Sequence, residues 1–146
     1  MTRFVVAATH MAEPGITKLD AAQRQLDCAI WLRLRGMDSL AVHTLAYAAY
    51  GILRDLCRDR PEVREMIEAI IDHTEFAKVP SFLKHADYDP EGMLDAHSPE
   101  TVHLTVALTI RLWKELGREV TPAMSEFNDQ LGDPYEPAHR ASEGFR

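Results

Sequence analysis

The chain has 146 residues, enough for one ordinary domain that buries its own core without disulfides or a metal. Apolar residues make up 46% and charged residues 27% of it, the balance of a soluble globular protein. Sixteen basic residues against 23 acidic ones give a net charge of −7, which disfavours non-specific DNA binding because that binding rewards a basic surface.

Residues 1–16 are expected to form an N-terminal arm that ends at Pro14 and Gly15. The apolar run in this arm is shorter than the roughly 7–15 residues found in a signal peptide. No stretch approaches the about 18 apolar residues of a membrane span, so no membrane partner is expected. The two cysteines, Cys28 and Cys57, are both expected to be buried in helices, which favours a reducing compartment. We therefore predict a cytoplasmic protein.

The spacing of apolar residues predicts five helices, separated by capping residues, glycines and prolines. Thr17 can cap the first helix and Gly36 can end it. Asp38 or Ser39 begins the second helix, and Pro61 suits the first turn of the third. The expected helices cover residues 17–36, 38–59, 61–72, 98–117 and 122–131.

No repeat and no convincing pair of strands accompanies these helices. The predicted fold class is therefore all-α, a bundle of four main helices with one or two short extra helices. It forms a single domain over residues 17–131. Residues 132–146 contain two prolines and no apolar period, and are expected to be a flexible tail.

The second helix has two different faces when its residues are placed at about 100° intervals. The opposite side from its most apolar face carries His43, Tyr47, Tyr50 and Arg54. Large side chains with polar tips are favoured where one side is covered by other groups. Packing beneath residues 73–97, a subunit interface and a ligand or catalytic site all stay open as explanations. The face expected to lie on the core consists of Ala41, Leu45, Ala48, Ile52 and Leu56, widened by Val42, Ala49 and Leu53.

The fourth helix, which begins at Ser98, is apolar around most of its circumference. A helix of this kind is buried on several sides. In so small a domain, association of two copies is the simplest way to bury it, so we predict a homodimer.

The stretch FLKHADYDPEG, residues 82–92, combines charged and apolar groups between two helices. We expect it to be an ordered segment that lies over the polar face of the second helix. His85 would then lie within about 8 Å of His43 or Tyr47, a distance that one bridging water can span. A carboxylate such as Asp87 beside His85 would raise the pKa of the histidine and make it a usable acid or base.

A mononuclear metal site has suitable donors in His43, His85, Asp87 and His103. No spacing along the chain demands such a site. No cofactor is therefore expected.

Three stretches resemble those of an uncharacterised family of small bacterial helical proteins. They are KLDAAQRQLDCAIWL at 18–32, HTLAYAAYGILRDL at 43–56 and FLKHADYDP at 82–90. More distantly, the layout of the helices resembles the HEPN class, which includes dimeric metal-independent ribonucleases and inactive binding domains. The resemblance implies a helical bundle and a dimer.

Ribonucleases of the HEPN class carry an arginine, four to six further residues and then a histidine at a dimer cleft. Before His85 the residue at this spacing is Lys78. Lysine cannot form the bidentate hydrogen bonds with which arginine binds phosphate. The catalytic candidates that this resemblance implies are His85, Lys84, Asp87 and Arg54, with RNA as the substrate.

Three functions stay open, and so does the question of whether the protein is an enzyme. The preferred function is a non-enzymatic binding or assembly module, with regulation as one possible role, whose ligand the sequence does not identify; RNA and a small molecule are both open as partners. The alternatives are a HEPN-like ribonuclease and a small His/Asp metalloprotein. The expected ligand-binding residues are His43, Tyr47, Tyr50, Arg54, His85 and Asp87.

Overall fold

The computed structural model describes residues 13–71, 82–83, 87, 90–94 and 97–132, and every regular element in this part is a helix. The predicted all-α fold is confirmed. Among the described residues, no helix combines the length and the apolar character that crossing a membrane requires. The helices are α1 (Lys18–Leu34), α2 (Ser39–Leu56), α3 (Pro61–Ile71), α4 (Pro99–Glu115) and α5 (Pro122–Leu131).

Local capping interactions explain why four of the helices begin where they do. Thr17 and Asp20 form a capping box, in which each side chain accepts a hydrogen bond of 3.0 Å from the backbone N–H of the other. The side-chain oxygens of Asp38, Ser98 and Thr121 accept hydrogen bonds from N–H groups in the first turns of α2, α4 and α5. The predicted caps at Thr17 and Ser98 are therefore confirmed, and Asp38 is the cap of α2.

Glycines end α1 and α4. Gly36 follows α1 with a φ of 67°, and Gly117 follows α4 with a φ of 71°. This left-handed conformation strains any residue that has a Cβ atom, which is why glycine ends helices so often. The predicted end of the first helix at Gly36 is confirmed.

Packing around α2 forms the core. It contacts both α1 and α4, and α5 packs against α1. One side of α1 faces this core, since Ala22, Leu26, Ala29 and Ile30 have no exposed surface. The buried side chains of α5 are Ala123, Met124 and Phe127.

The fourth predicted helix, α4, is buried nearly all round, as its composition predicts. Nine of its residues are buried, and this cover comes from the chain itself. The apolar surface of α4 therefore does not require a second copy, and the homodimer stays a prediction. The nine residues are Val102, Thr105, Val106, Ala107, Leu108, Thr109, Ile110, Leu112 and Trp113.

The predicted orientation of α2 is only partly right: Val42, Ala49 and Leu53 are buried as expected, but the centre of the expected core face is not. Ala41, Ala48 and Leu56 of the expected core face are exposed, and Leu45 and Ile52 are only partly buried. The observed core face is Val42, His43, Ala46, Ala49, Tyr50 and Leu53. Small alanines on this face let α4 approach closely, and the hydroxyl of Thr109 lies 3.4 Å from the backbone oxygen of Ala46. In an alanine-rich helix, the apolar pattern alone does not separate an inner face from an outer one.

The two cysteines differ in burial. Cys57, directly after α2, is 2% exposed, whereas Cys28 in α1 is exposed. The prediction that both thiols are buried is therefore wrong for Cys28.

Two polar contacts join elements that are distant in sequence. The hydroxyl of Thr121, at the start of α5, donates a hydrogen bond of 2.6 Å to the carboxylate of Asp27 in α1. The guanidinium of Arg60, before α3, donates to the backbone oxygen of Glu115 at the end of α4. These contacts tie the start of α5 to α1 and the segment before α3 to the end of α4.

Candidate functional site

Four side chains on one side of α2 contact one another in a continuous row. The rings of His43 and Tyr47 stack with centroids 6.3 Å apart, and those of Tyr47 and Tyr50 lie 5.3 Å apart. The guanidinium carbon of Arg54 lies 5.6 Å from the centre of the Tyr50 ring, within reach of a cation–π interaction. We call these four residues the aromatic row. They are the residues that the helical spacing singles out.

His97 extends the aromatic row at its N-terminal end. Its ring centroid lies 5.9 Å from that of His43, with the two rings tilted by 60°. His97 directly precedes Ser98, the N-cap of α4, so the start of that helix fixes its position. Sequence reasoning missed His97. The available signal was its place just before an N-cap, from which a side chain often packs back onto the fold.

The ring nitrogens of both histidines are buried, whereas the His97 residue as a whole is only half-buried. His43 has no exposed surface, and Nδ1 and Nε2 of both rings have no hydrogen-bond partner among the described residues. Most buried polar side-chain atoms have such a partner, so four orphaned nitrogens in one contact are unusual. Burial, reinforced by repulsion from His97, lowers the pKa of His43 to about 4. The His43 imidazole is therefore neutral at neutral pH.

The other end of the aromatic row opens into a pocket between α2 and α3 with a volume of about 370 Å³. Its floor is formed by Tyr50, Cys57 and Ile67, which are 1%, 2% and 7% exposed. Burial raises the pKa of both the Tyr50 phenol and the Cys57 thiol, so the floor carries no charge at neutral pH. The charged residues that line this pocket are Arg54, Asp55, Arg58, Arg64 and Glu68.

A second, larger pocket of about 650 Å³ lies on the other side of Arg54. Tyr47 and Ile52 line it together with Lys18 of α1, and it shares Arg54 and Arg58 with the smaller pocket. Asp55 also lines both pockets, and the walls of the larger one are more polar because Lys18 and Asp59 line it in addition. Arg54 therefore stands between two pockets, and each pocket contains one tyrosine of the aromatic row.

Several of the predicted site residues lie outside the described residues. Lys78, Lys84 and His85 are among them. The expected contact of His85 with the aromatic row therefore also lies outside the described residues. The spacing of the HEPN nucleases also occurs between Arg3 and His10, which likewise lie outside that part.

The described residues of the 82–92 segment are exposed where the sequence predicted cover. Phe82 is 40% and Leu83 is 37% exposed. Asp87 is exposed as well. Phe82 and Leu83 are therefore more exposed than the expected packing onto the tyrosines would leave them.

His103 takes part in a different contact. Its ring stacks on Phe127 of α5 with centroids 5.1 Å apart, at the pocket that Arg33 and Glu100 also line. Within the part of the chain that the structure describes, no three histidine, cysteine or acidic side chains converge to hold a metal ion.

Comparisons of the chain with protein-family models, with curated proteins and with solved structures find no match. The resemblance to a bacterial helical family and to the HEPN class therefore stays a prediction.

Proposed function

We propose that the protein is a non-enzymatic binding module, and that it takes a small anionic ligand with an apolar part in the pocket between α2 and α3. The observation that carries this proposal is an uncharged, buried floor beneath a rim of three arginines and two acidic residues, Asp55 and Glu68, which leaves one net positive charge. Volumes of about 300–1,000 Å³ with apolar walls and a few polar groups are usual for small-molecule sites. The pocket, at about 370 Å³, falls in this range.

The floor suits an apolar or aromatic group. Tyr50 presents a ring, Ile67 an aliphatic side chain and Cys57 a protonated thiol. Burial already removes most of each side chain from water, and a ligand that covers the remaining surface gains hydrophobic free energy of about 25 cal/mol per Å².

The rim suits an anion. Arg54, Arg58 and Arg64 all line the pocket, in a chain whose net charge is −7. The guanidinium of Arg64 donates a hydrogen bond of 3.1 Å to the backbone oxygen of Arg58, which holds these two residues side by side. Arginine binds carboxylates and phosphates through two parallel hydrogen bonds.

Arg54 can turn towards a ligand at little cost. Its present partner is the neighbouring Asp55, at 3.2 Å, and both side chains are about half exposed. Exposed ion pairs of this kind contribute about 0–1 kcal/mol, so a ligand carboxylate or phosphate can replace Asp55.

The test is a thermal-unfolding screen of aryl carboxylates, aryl phosphates and nucleotides against the wild-type protein. We expect at least one class to raise the unfolding midpoint with saturation, since a ligand that binds only the folded state stabilises it. The same compounds should have little effect on Arg54→Gln and Arg64→Gln.

Arg24→Gln is the matched control, because Arg24 is an exposed arginine of α1 that pairs with Glu13. It should respond like the wild type. The proposal is wrong if no compound shifts the midpoint, or if Arg54→Gln and Arg64→Gln respond as strongly as Arg24→Gln.

A further inference from the structure

Beyond the pocket, we propose that His43 and His97 together bind a single transition-metal ion between their rings. This site lies at the opposite end of the aromatic row from the proposed ligand pocket, and the proposal does not depend on that pocket. It rests on a fully buried imidazole, His43, in contact with a half-buried one, His97, and all four ring nitrogens lack a hydrogen-bond partner among the described residues.

The separation of the rings fits one shared ion. A ring nitrogen binds such an ion at about 2.1 Å, which puts the ring centre roughly 3.2 Å from the ion. If the two ring nitrogens form a tetrahedral angle at the ion, the two ring centres are about 5.2 Å apart. If the two nitrogens lie on opposite sides of the ion, the ring centres are roughly 6.4 Å apart, which is the maximum. The observed separation of 5.9 Å lies between these values. The angle at the ion is therefore wider than tetrahedral.

The protonation state of His43 is the right one for coordination. An imidazole coordinates a metal through a neutral ring nitrogen, and protonation removes that donor. Because burial keeps His43 neutral down to acidic pH, its lone pair is available throughout the physiological range.

The burial of the ring nitrogens favours an ion over an organic molecule. The ring nitrogens of both histidines are inaccessible to solvent, and His43 has no exposed surface. Neither ring lines the two pockets beside Arg54. A single metal ion is the smallest ligand that two imidazoles can share, whereas an organic ligand would have to separate α4 from α2.

The donors define the class of ion. Imidazole suits copper, nickel and zinc, and among divalent ions of the first row copper binds nitrogen sites most tightly. Since the described residues supply two imidazole donors and no carboxylate at this point, hard ions such as calcium and magnesium are poor candidates. We expect the order of affinity to be copper, then nickel and zinc.

The test uses tag-free full-length protein, titrated separately with copper, nickel, zinc and magnesium. At an ion concentration about 100-fold above Kd, we expect copper to raise the unfolding midpoint by about 5–10 °C. Magnesium should leave the midpoint unchanged. In ¹⁵N NMR spectra of the histidine rings, one nitrogen each of His43 and His97 should shift on addition of zinc.

Three variants decide whether the histidine pair is the site. His43→Phe and His97→Phe should each lower the affinity by at least about ten-fold, because even the loss of an outer partner of a metal ligand has that effect. His103→Phe, the same substitution at a histidine that stacks on Phe127, should bind like the wild type. Spectra of the folded variants confirm that each retains its helices.

The proposal is overturned if the wild type binds none of the three transition-metal ions, or if His43→Phe and His97→Phe bind as tightly as His103→Phe. It is also overturned if the zinc-induced ring shifts occur only at other histidines. Because the pocket between α2 and α3 is tested with anionic organic compounds and arginine variants, failure of either proposal leaves the other unaffected.

Discussion

The ring of His97, at the start of α4, lies 5.9 Å from the ring of His43 in α2. This contact joins two elements that are distant in sequence, and it places a second basic ring beside a histidine with no exposed surface. A proton on His43 would therefore be poorly solvated and repelled by any positive charge on His97. The stability of the fold should depend on this arrangement.

We expect the wild-type protein to lose stability as the pH falls from about 6.5 to about 4. The pKa of His43 is lowered to about 4 in the folded protein from an ordinary value of 6.5. Between these values the unfolded chain binds a proton that the folded chain does not, so acid favours unfolding. As far as His43 is concerned, the free energy of unfolding has its full value above pH 6.5, and it is lower by roughly 3 kcal/mol at pH 4. Urea unfolding at a series of pH values measures it.

His43→Phe is the variant that isolates this dependence, because phenylalanine can keep the stacking on Tyr47 without a titrating group. At pH 7 it should be at least as stable as the wild type, since an apolar ring replaces an unpaired polar one. Its stability should fall less between pH 6.5 and pH 4. Equal pH dependence in the two proteins would show that His43 does not titrate in this way.

The orientation of α2 can be tested with two matched substitutions. Ala46 has no exposed surface and lies where α2 meets α4, whereas Ala48 is exposed. Ala46→Leu should destabilise the fold by about 1–3 kcal/mol, because it forces extra atoms into a packed core. Ala48→Leu should change the free energy of unfolding by less than about 0.5 kcal/mol. Chemical denaturation compares them, and the reverse order would favour the face predicted from the sequence.

Thr121 should be the most sensitive of the capping residues. Its hydroxyl accepts a hydrogen bond of 3.3 Å from the N–H of Met124 and donates one of 2.6 Å to Asp27. Thr121→Val removes both and should lower the free energy of unfolding by about 1–3 kcal/mol. Thr121→Ser keeps both and should restore most of that loss. Denaturant midpoints test this, and a serine variant as unstable as the valine variant would contradict it.

The homodimer predicted from the sequence awaits a direct measurement. Light scattering at micromolar concentration should give a mass of twice 16.5 kDa if two copies associate. The surfaces that motivated this prediction, α4 and the side of α2 that carries His43 and Tyr50, are largely buried within one chain. A dimer would therefore have to use another surface, and a mass of 16.5 kDa at every concentration would refute the prediction.

The sequence by itself determined the helices and their ends. The hydrogen bonds at Thr17, Asp38 and Ser98 join groups two or three residues apart, so they can be recognised without any knowledge of the fold. The left-handed conformation of Gly36 is equally local. The burial of α4 was also predictable from the sequence, because a helix that is apolar on every side is buried whichever way it is turned.

The tertiary structure decided which side of α2 faces inward and what meets there. Alanines contribute little hydrophobic contrast, so the inner face depends on where α1 and α4 can approach most closely. His43 and His97 come together only because α4 packs against α2, and the pocket at Tyr50 exists only because residues of α3 line it together with those of α2. Contacts of this kind depend on the relative placement of whole helices, which no local pattern of residues encodes.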